Sequence, residues 1–129
     1  MSETNSNTQA GCCSGGPKLI FACSGAADVG QISDLAARKL TAEGAGKMFC
    51  LAGIGGRVSG IMETTRSAAA ILAIDGCPLD CVHKTLELAG FQQFEHLRLS
   101  DLGMEKGKSP ATDDRIAQVV NHGKAKLAG

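Results

Sequence analysis

The sequence predicts an α/β fold: a single-domain, three-layer sandwich of Rossmann-like or flavodoxin-like type around a mainly parallel four-stranded sheet. Three observations predict it. Short apolar runs of strand length alternate with segments whose apolar residues recur at helical spacing. Glycines punctuate the junctions between them. The chain has 129 residues, 43% of them hydrophobic, enough for one domain with a sizeable core. An order of β-α-β-α-β-α-β-α then implies parallel strands, right-handed crossovers and helices on both sheet faces.

Residues 1–17 are mostly Ser, Asn, Thr and Gly without periodicity, and predict a flexible N-terminal arm ahead of a domain over residues 18–129. Lys18 to Ala22 is a short buried strand stopped by Cys23-Ser24-Gly25. From Asp28 to Ala42, Val29, Ile32, Leu35, Ala36 and Leu40 follow helical spacing, and Gly44 and Gly46 end that helix. Lys47 to Ala52 is the second strand, and Arg57 to Ala68 the second helix. Ala70 to Ile74 is the third strand, closed by Asp75-Gly76. Val82, Leu86 and Ala89 form the stripe of a third helix that Gly90 ends. Phe94 to Leu99 alternates as a fourth, edge strand, and Thr112 caps a last helix with Ile116, Val119 and Val120 inward.

Composition excludes several function classes. Charged residues are 20% and the formal net charge is zero, so no basic excess favours nucleic acid or an acidic membrane surface. Four Phe are the only aromatics, too few for a base-stacking platform. No apolar run approaches the roughly 20 residues that span a bilayer, and Met1 to Gly11 lacks the apolar segment of a signal peptide. A cytoplasmic location is the expectation. The partner left open is a small molecule or anion.

Six cysteines in a cytosolic protein are ligands or catalysts before they are structural disulfides. In an open α/β sheet, ligands sit beyond the carboxyl ends of the strands, where strand order switches. Cys23 ends the first strand, Cys50 lies in or near the end of the second, and Cys77 and Cys81 follow the third. A strand order of 2-1-3-4 makes Cys23 face the Cys77–Cys81 turn. Pro78 stands where the first turn of a helix would begin. That puts Cys77 and Cys81, four apart, on one side of the turn. A thiol at a helix N-terminus sees the positive end of the dipole, which favours the thiolate.

Four thiolates suit tetrahedral zinc, with an iron–sulfur centre second. The candidate metal ligands are Cys23, Cys77, Cys81 and Cys50, with Cys13 and Cys12 joining if the arm folds back over the site. Cys50 also suits the core as a small hydrophobe. The competing reading is a metal-free thiol redox or sulfur-transfer enzyme using Cys77 and Cys81, and no residue is assigned a catalytic role.

Two Gly-rich turns complete the candidate set. Ser24-Gly25 after the first strand and Gly55-Gly56-Arg57 after the second offer free N–H groups and a guanidinium for an anion or substrate. Neither matches a P-loop or a dinucleotide fingerprint. Asp28 and Asp75 stand near the proposed mouth, as a base or as partners of the ligands, with helix capping or turn formation the favoured role of each. His83, His96 and His122 lack ligand spacing to the cysteines and are placed on the surface.

With Asp75-Gly76-Cys77-Pro78-Leu79-Asp80-Cys81 in view, the chain resembles the bacterial and archaeal DGC-domain family from about Cys13 to Val120. The resemblance also rests on Cys13-Ser14-Gly15-Gly16, the run from Phe21 to Gly30, Gly53-Ile54-Gly55-Gly56-Arg57 and His96-Leu97-Arg98-Leu99. It implies a zinc site built from the cysteines, with no established activity.

Overall fold

Strands that are apolar at every position need cover on both faces, and the sequence supplies five helices to give it. The computed structural model describes residues 15–24 and 26–128. Its elements are β1 (Lys18–Ala22), α1 (Asp28–Ala42), β2 (Lys47–Met48), α2 (Leu51–Gly55), α3 (Ser59–Arg66), β3 (Ala70–Asp75), α4 (Cys81–Leu88), β4 (Glu95–Arg98), a 3-10 turn (Leu99–Leu102) and α5 (Asp113–Ala128). The four strands are parallel in the order β2-β1-β3-β4. The predicted fold class is present, and the order is the one under which Cys23 and Cys77 follow neighbouring strands.

Strand side chains alternate between two cores. Ile20, Ala22, Leu72, Ile74 and Leu97 face α1 and α5, packing on Ile32, Leu40, Val119 and Val120. Leu19, Phe21, Ile71 and Ala73 face α2, α3 and α4, packing on Ile54, Met62, Val82 and Leu86. Gly123 lets α5 close on the first core, since an added Cβ there would stand 2.8 Å from Leu40 Cδ1. Thr112 caps α5 as expected, its Oγ1 accepting from Arg115 N at 3.3 Å.

Three element boundaries differ from expectation, each for a local reason. The second strand stops after Met48, because Phe49 N makes a last bond to Ile20 O at 2.8 Å and Cys50 then caps α2. Gly53 is inside that helix, where it admits Ile61, whose Cδ1 would lie 2.1 Å from an added Cβ. The next helix starts at Ser59 rather than Arg57, because Arg57 has φ of 58° and ends the turn after α2.

The helix after β3, α4, begins at Cys81, not at Pro78. Cys77 to Asp80 form a β-turn, with Asp80 N bonded to Cys77 O at 3.2 Å and Pro78 in its second position, which proline favours. Asp80 is left-handed, so the helix cannot extend back through it. Cys77 therefore lies outside the helix and shares no helical face with Cys81.

At the other end of the chain, Gly16 and Pro17 are anchored rather than part of an arm. Pro17 O accepts from Ala69 N at 2.8 Å, and Gly16 leaves no space for a Cβ against Ser67 O. Residues 1–14 lie outside the described residues.

Candidate functional site

The strand ends converge on one edge, and Asp75, the last residue of β3, is its buried centre, with 1% of its surface exposed. A buried carboxylate needs partners for its lone pairs. Asp75 Oδ1 accepts from Val82 N at 2.7 Å, and Oδ2 from His83 N at 3.0 Å. Those N–H groups belong to the first turn of α4, where no intrahelical acceptor exists. Asp75 thus does from β3 what a capping side chain does locally. Asp80, at the capping position itself, makes no such bond.

The Asp80 carboxylate is committed to β4. Arg98 donates from Nε to Oδ1 at 2.8 Å and from Nη2 to Oδ2 at 2.5 Å, a two-pronged pair. This guanidinium holds the Asp80 carboxyl below the usual carboxylate range, against the opposing effect of burial. Arg98 in turn is raised above its ordinary value, chiefly by Asp80.

His96 completes the network. Its Nε2 is 2.8 Å from Asp75 Oδ2 and 3.8 Å from Asp80 Oδ1. A carboxylate only accepts, so Nε2 carries the proton on that side. The His83 ring lies 4.9 Å from that of His96 and 5.2 Å from Phe94, and its Nδ1 is buried without a partner. Among the described residues, Asp75, Asp80 and His96 are the only His, Cys, Asp or Glu whose ligand atoms cluster in a group of three within 4.8 Å. Their oxygens are already engaged by backbone N–H groups and a guanidinium, so the cluster fits a hydrogen-bonded brace better than a cation cage.

The cysteines occupy the same edge but different layers. Cys23 follows β1, its N–H extending the ladder to Ile74 O at 2.9 Å, and its side chain packs on the core under α2, α3 and α4. Cys50 is exposed at the start of α2, its Sγ accepting from Gly53 N at 3.4 Å. Cys81 is exposed at the first residue of α4. Cys77 packs on the opposite core, beneath α1 and α5. Strand alternation explains the division: Cys23 continues the Leu19 and Phe21 side, while Cys77 sits beyond a turn that crosses the sheet edge. All four thiols are free, and no three of these sulfurs lie within 4.8 Å of one another. Cys12 and Cys13 lie outside the described residues.

The predicted anion turns are built differently from each other. Ser24 is exposed and Gly25 lies outside the described residues. Gly55 closes α2, and the N–H groups of Gly56 and Arg57 bond back to Ala52 O and Ile54 O at 2.9 and 3.1 Å. The Arg57 guanidinium donates to Ile54 O at 2.7 Å, Gly55 O at 3.2 Å and Leu88 O at 3.2 Å. It joins the end of α2 to the end of α4 remote from Cys81.

Asp28 works on the loop after β4. It accepts from Gly107 N and Ser109 N, each at 2.9 Å, and from Val29 N at 2.8 Å. Those backbone donors hold its carboxyl below the usual range. The loop so tethered forms one wall of an open cleft of ≈ 800 Å³, where Met104 and Lys106 face Cys77, Pro78 and Leu79.

The DGC domain family model matches residues 19–122. The chain belongs to the DGC-domain family. It is also similar to the anaerobic and virulence modulator AnvM of Pseudomonas aeruginosa strain PAO1, with 40% identity over 88 residues, 68% of this chain and 67% of that protein. No solved structure matches it. In this DGC domain, the family's Asp-Gly-Cys run has three separate physical tasks. Asp75 caps α4, Gly76 passes Val29 where an added Cβ would stand 2.9 Å from its carbonyl carbon, and Cys77 opens the turn. His96 and Arg98 were placed on the surface or left without a role by sequence reasoning. The available signal was a His and an Arg two apart on a strand neighbouring one that ends in Asp.

Proposed function

We propose that this DGC-domain protein binds zinc through cysteine thiolates at the carboxyl edge of its sheet. The observation that carries the reading is the strand order: β2, β1 and β3 are neighbours, so Cys50, Cys23 and Cys77 follow three adjacent strands, with Cys81 across the next turn. Four sulfur donors suit zinc over magnesium or calcium. Cys50 and Cys81 begin helices, whose dipoles offset the negative charge of a zinc–thiolate centre. Metal binding then has to draw these sulfurs together, which couples it to local ordering of the loops that carry them.

Bound zinc would supply either a structural cross-link or a Lewis acid. The name of the relative AnvM, an anaerobic and virulence modulator, supports a regulatory use of such a site. A two-electron oxidant that joins two such thiolates in a disulfide would remove two ligands and release the metal.

The test is elemental analysis of protein purified without added metal, with iron measured alongside zinc. About one zinc per chain is expected, lost on Cys23→Ser, Cys77→Ser or Cys81→Ser. Metal-free protein whose thiols all titrate under anaerobic conditions would overturn the reading. Cys81→Ser protein that traps a mixed disulfide on Cys77 with unchanged metal content would move it to a thiol redox enzyme.

A further inference from the structure

Cys77 and Cys81 flank the turn on which the proposed site depends, and each is covalently next to a residue held from elsewhere in the fold. Gly76, before Cys77, is pressed against the backbone of Val29 in α1. Asp80, before Cys81, has φ of 56° and ψ of 46°, a left-handed conformation uncommon for a non-glycine residue, though aspartate is among those that adopt it. Arg98 holds the Asp80 side chain in that setting through the two-pronged bond to its carboxylate. Asp75, at the start of the loop, grips the first turn of α4 and is itself gripped by His96. Between these pins only Cys77, Pro78 and Leu79 remain, and the proline ring fixes its own φ. Parallel register aligns Asp75 with Arg98 and Ala73 with His96, so the edge strand β4 delivers both restraining side chains to one face.

The geometry points to Arg98 and His96 as the positioning residues of the cysteine site: through Asp80 and Asp75 they fix the turn that carries Cys77 and Cys81, and the sulfurs of the other loops are the ones a metal has to draw in. This rests on the zinc reading above and adds two residues that touch no metal. Neither residue is adjacent in sequence to a cysteine. Their influence passes through carboxylates that orient the ligand-bearing segment, which is how groups outside a coordination sphere tune metal affinity.

The experiment loads the full chain with cobalt(II) in place of zinc, because its visible bands report the geometry and thiolate content of the ligand set. Arg98→Ala and His96→Ala are expected to weaken cobalt binding by roughly 10- to 100-fold and to shift the bands. His96→Gln keeps an N–H donor for Asp75 and is expected to restore both affinity and spectrum. Arg98→Lys keeps the charge but not the fork, and should fall between. A purely structural role would lower the denaturation midpoint while leaving the bands of the folded protein in place, and that result overturns the proposal.

If the wild-type chain binds neither cobalt nor zinc, the metal reading fails while positioning remains measurable in the metal-free protein. Iodoacetamide alkylation at Cys77 and Cys81, followed by mass spectrometry, should then change several-fold in Arg98→Ala with Cys23 unchanged; identical rates overturn positioning. Should an alanine variant not fold, the same measurements on Arg98→Lys and His96→Gln decide it.

Discussion

Asp28 carries a pH dependence whose direction follows from its partners. Its carboxyl is held below the usual range mainly by the Gly107 and Ser109 N–H groups. A folded-state value below the unfolded one means that the interaction stabilises above the unfolded value and is lost as pH falls through the folded one. The 103–109 loop should therefore stay attached at neutral pH and loosen only in acid below the ordinary range of an aspartate carboxyl. Hydrogen exchange at the Gly107 and Ser109 amides checks this; acid-insensitive protection would refute it, and Asp28→Asn should loosen the same amides at neutral pH. Gly76 offers a second test at this scale. Gly76→Ala forces a methyl group onto the Val29 backbone, and overpacking of that kind costs about 1–3 kcal/mol, readable by chemical denaturation. Single residues were unevenly legible in the sequence. Cys23 was placed by the strand it ends, but His96 was not, because its partner Asp75 lies on another strand and only the register reveals the meeting.

Elements were legible wherever one residue pattern repeated over several turns. α1 spans Asp28–Ala42, as the spacing of Val29, Ile32, Ala36 and Leu40 predicts. The fold departed from expectation where a single residue could serve two elements. Pro78 suits the first turn of a helix and the second position of a β-turn alike, and the left-handed Asp80 decides for the turn. Gly53 and Gly55 suggest a loop by composition, yet α2 uses the missing side chain of Gly53 to seat Ile61. The strands depend on the two cores rather than on local propensity. Leu72, on central β3, is fully buried beneath α1 and α5, so Leu72→Ala should cost ~2–5 kcal/mol, measured by the shift in urea midpoint. A loss under about 1 kcal/mol would mean that the first core collapses into the space.

The arrangement of the whole molecule sets which cysteines can share a site. Gly16 is packed against Ser67 and Ala69 at the amino edge, while Cys23 stands at the carboxyl edge beyond β1. Seven residues near strand spacing separate them, roughly 20 Å. Gly16 and Pro17 tie the chain to the amino edge ahead of β1, and removing residues 1–14 is expected to leave zinc content unchanged. A loss of zinc in that variant, measured by elemental analysis, would place one of them in the site after all. The shared edge was legible because a β-α rhythm makes the strands parallel, with their carboxyl ends on one side, but the two faces that divide its thiols were not, since those depend on which side of the sheet each loop crosses. Cys23 touches the α2–α4 layer and Cys77 the α1–α5 layer. A fluorophore attached singly at each would therefore be a separate thermometer for each half of the sandwich. In metal-free protein, melting curves that coincide would mark the two layers as one cooperative unit, and curves that separate would show which half lets go first.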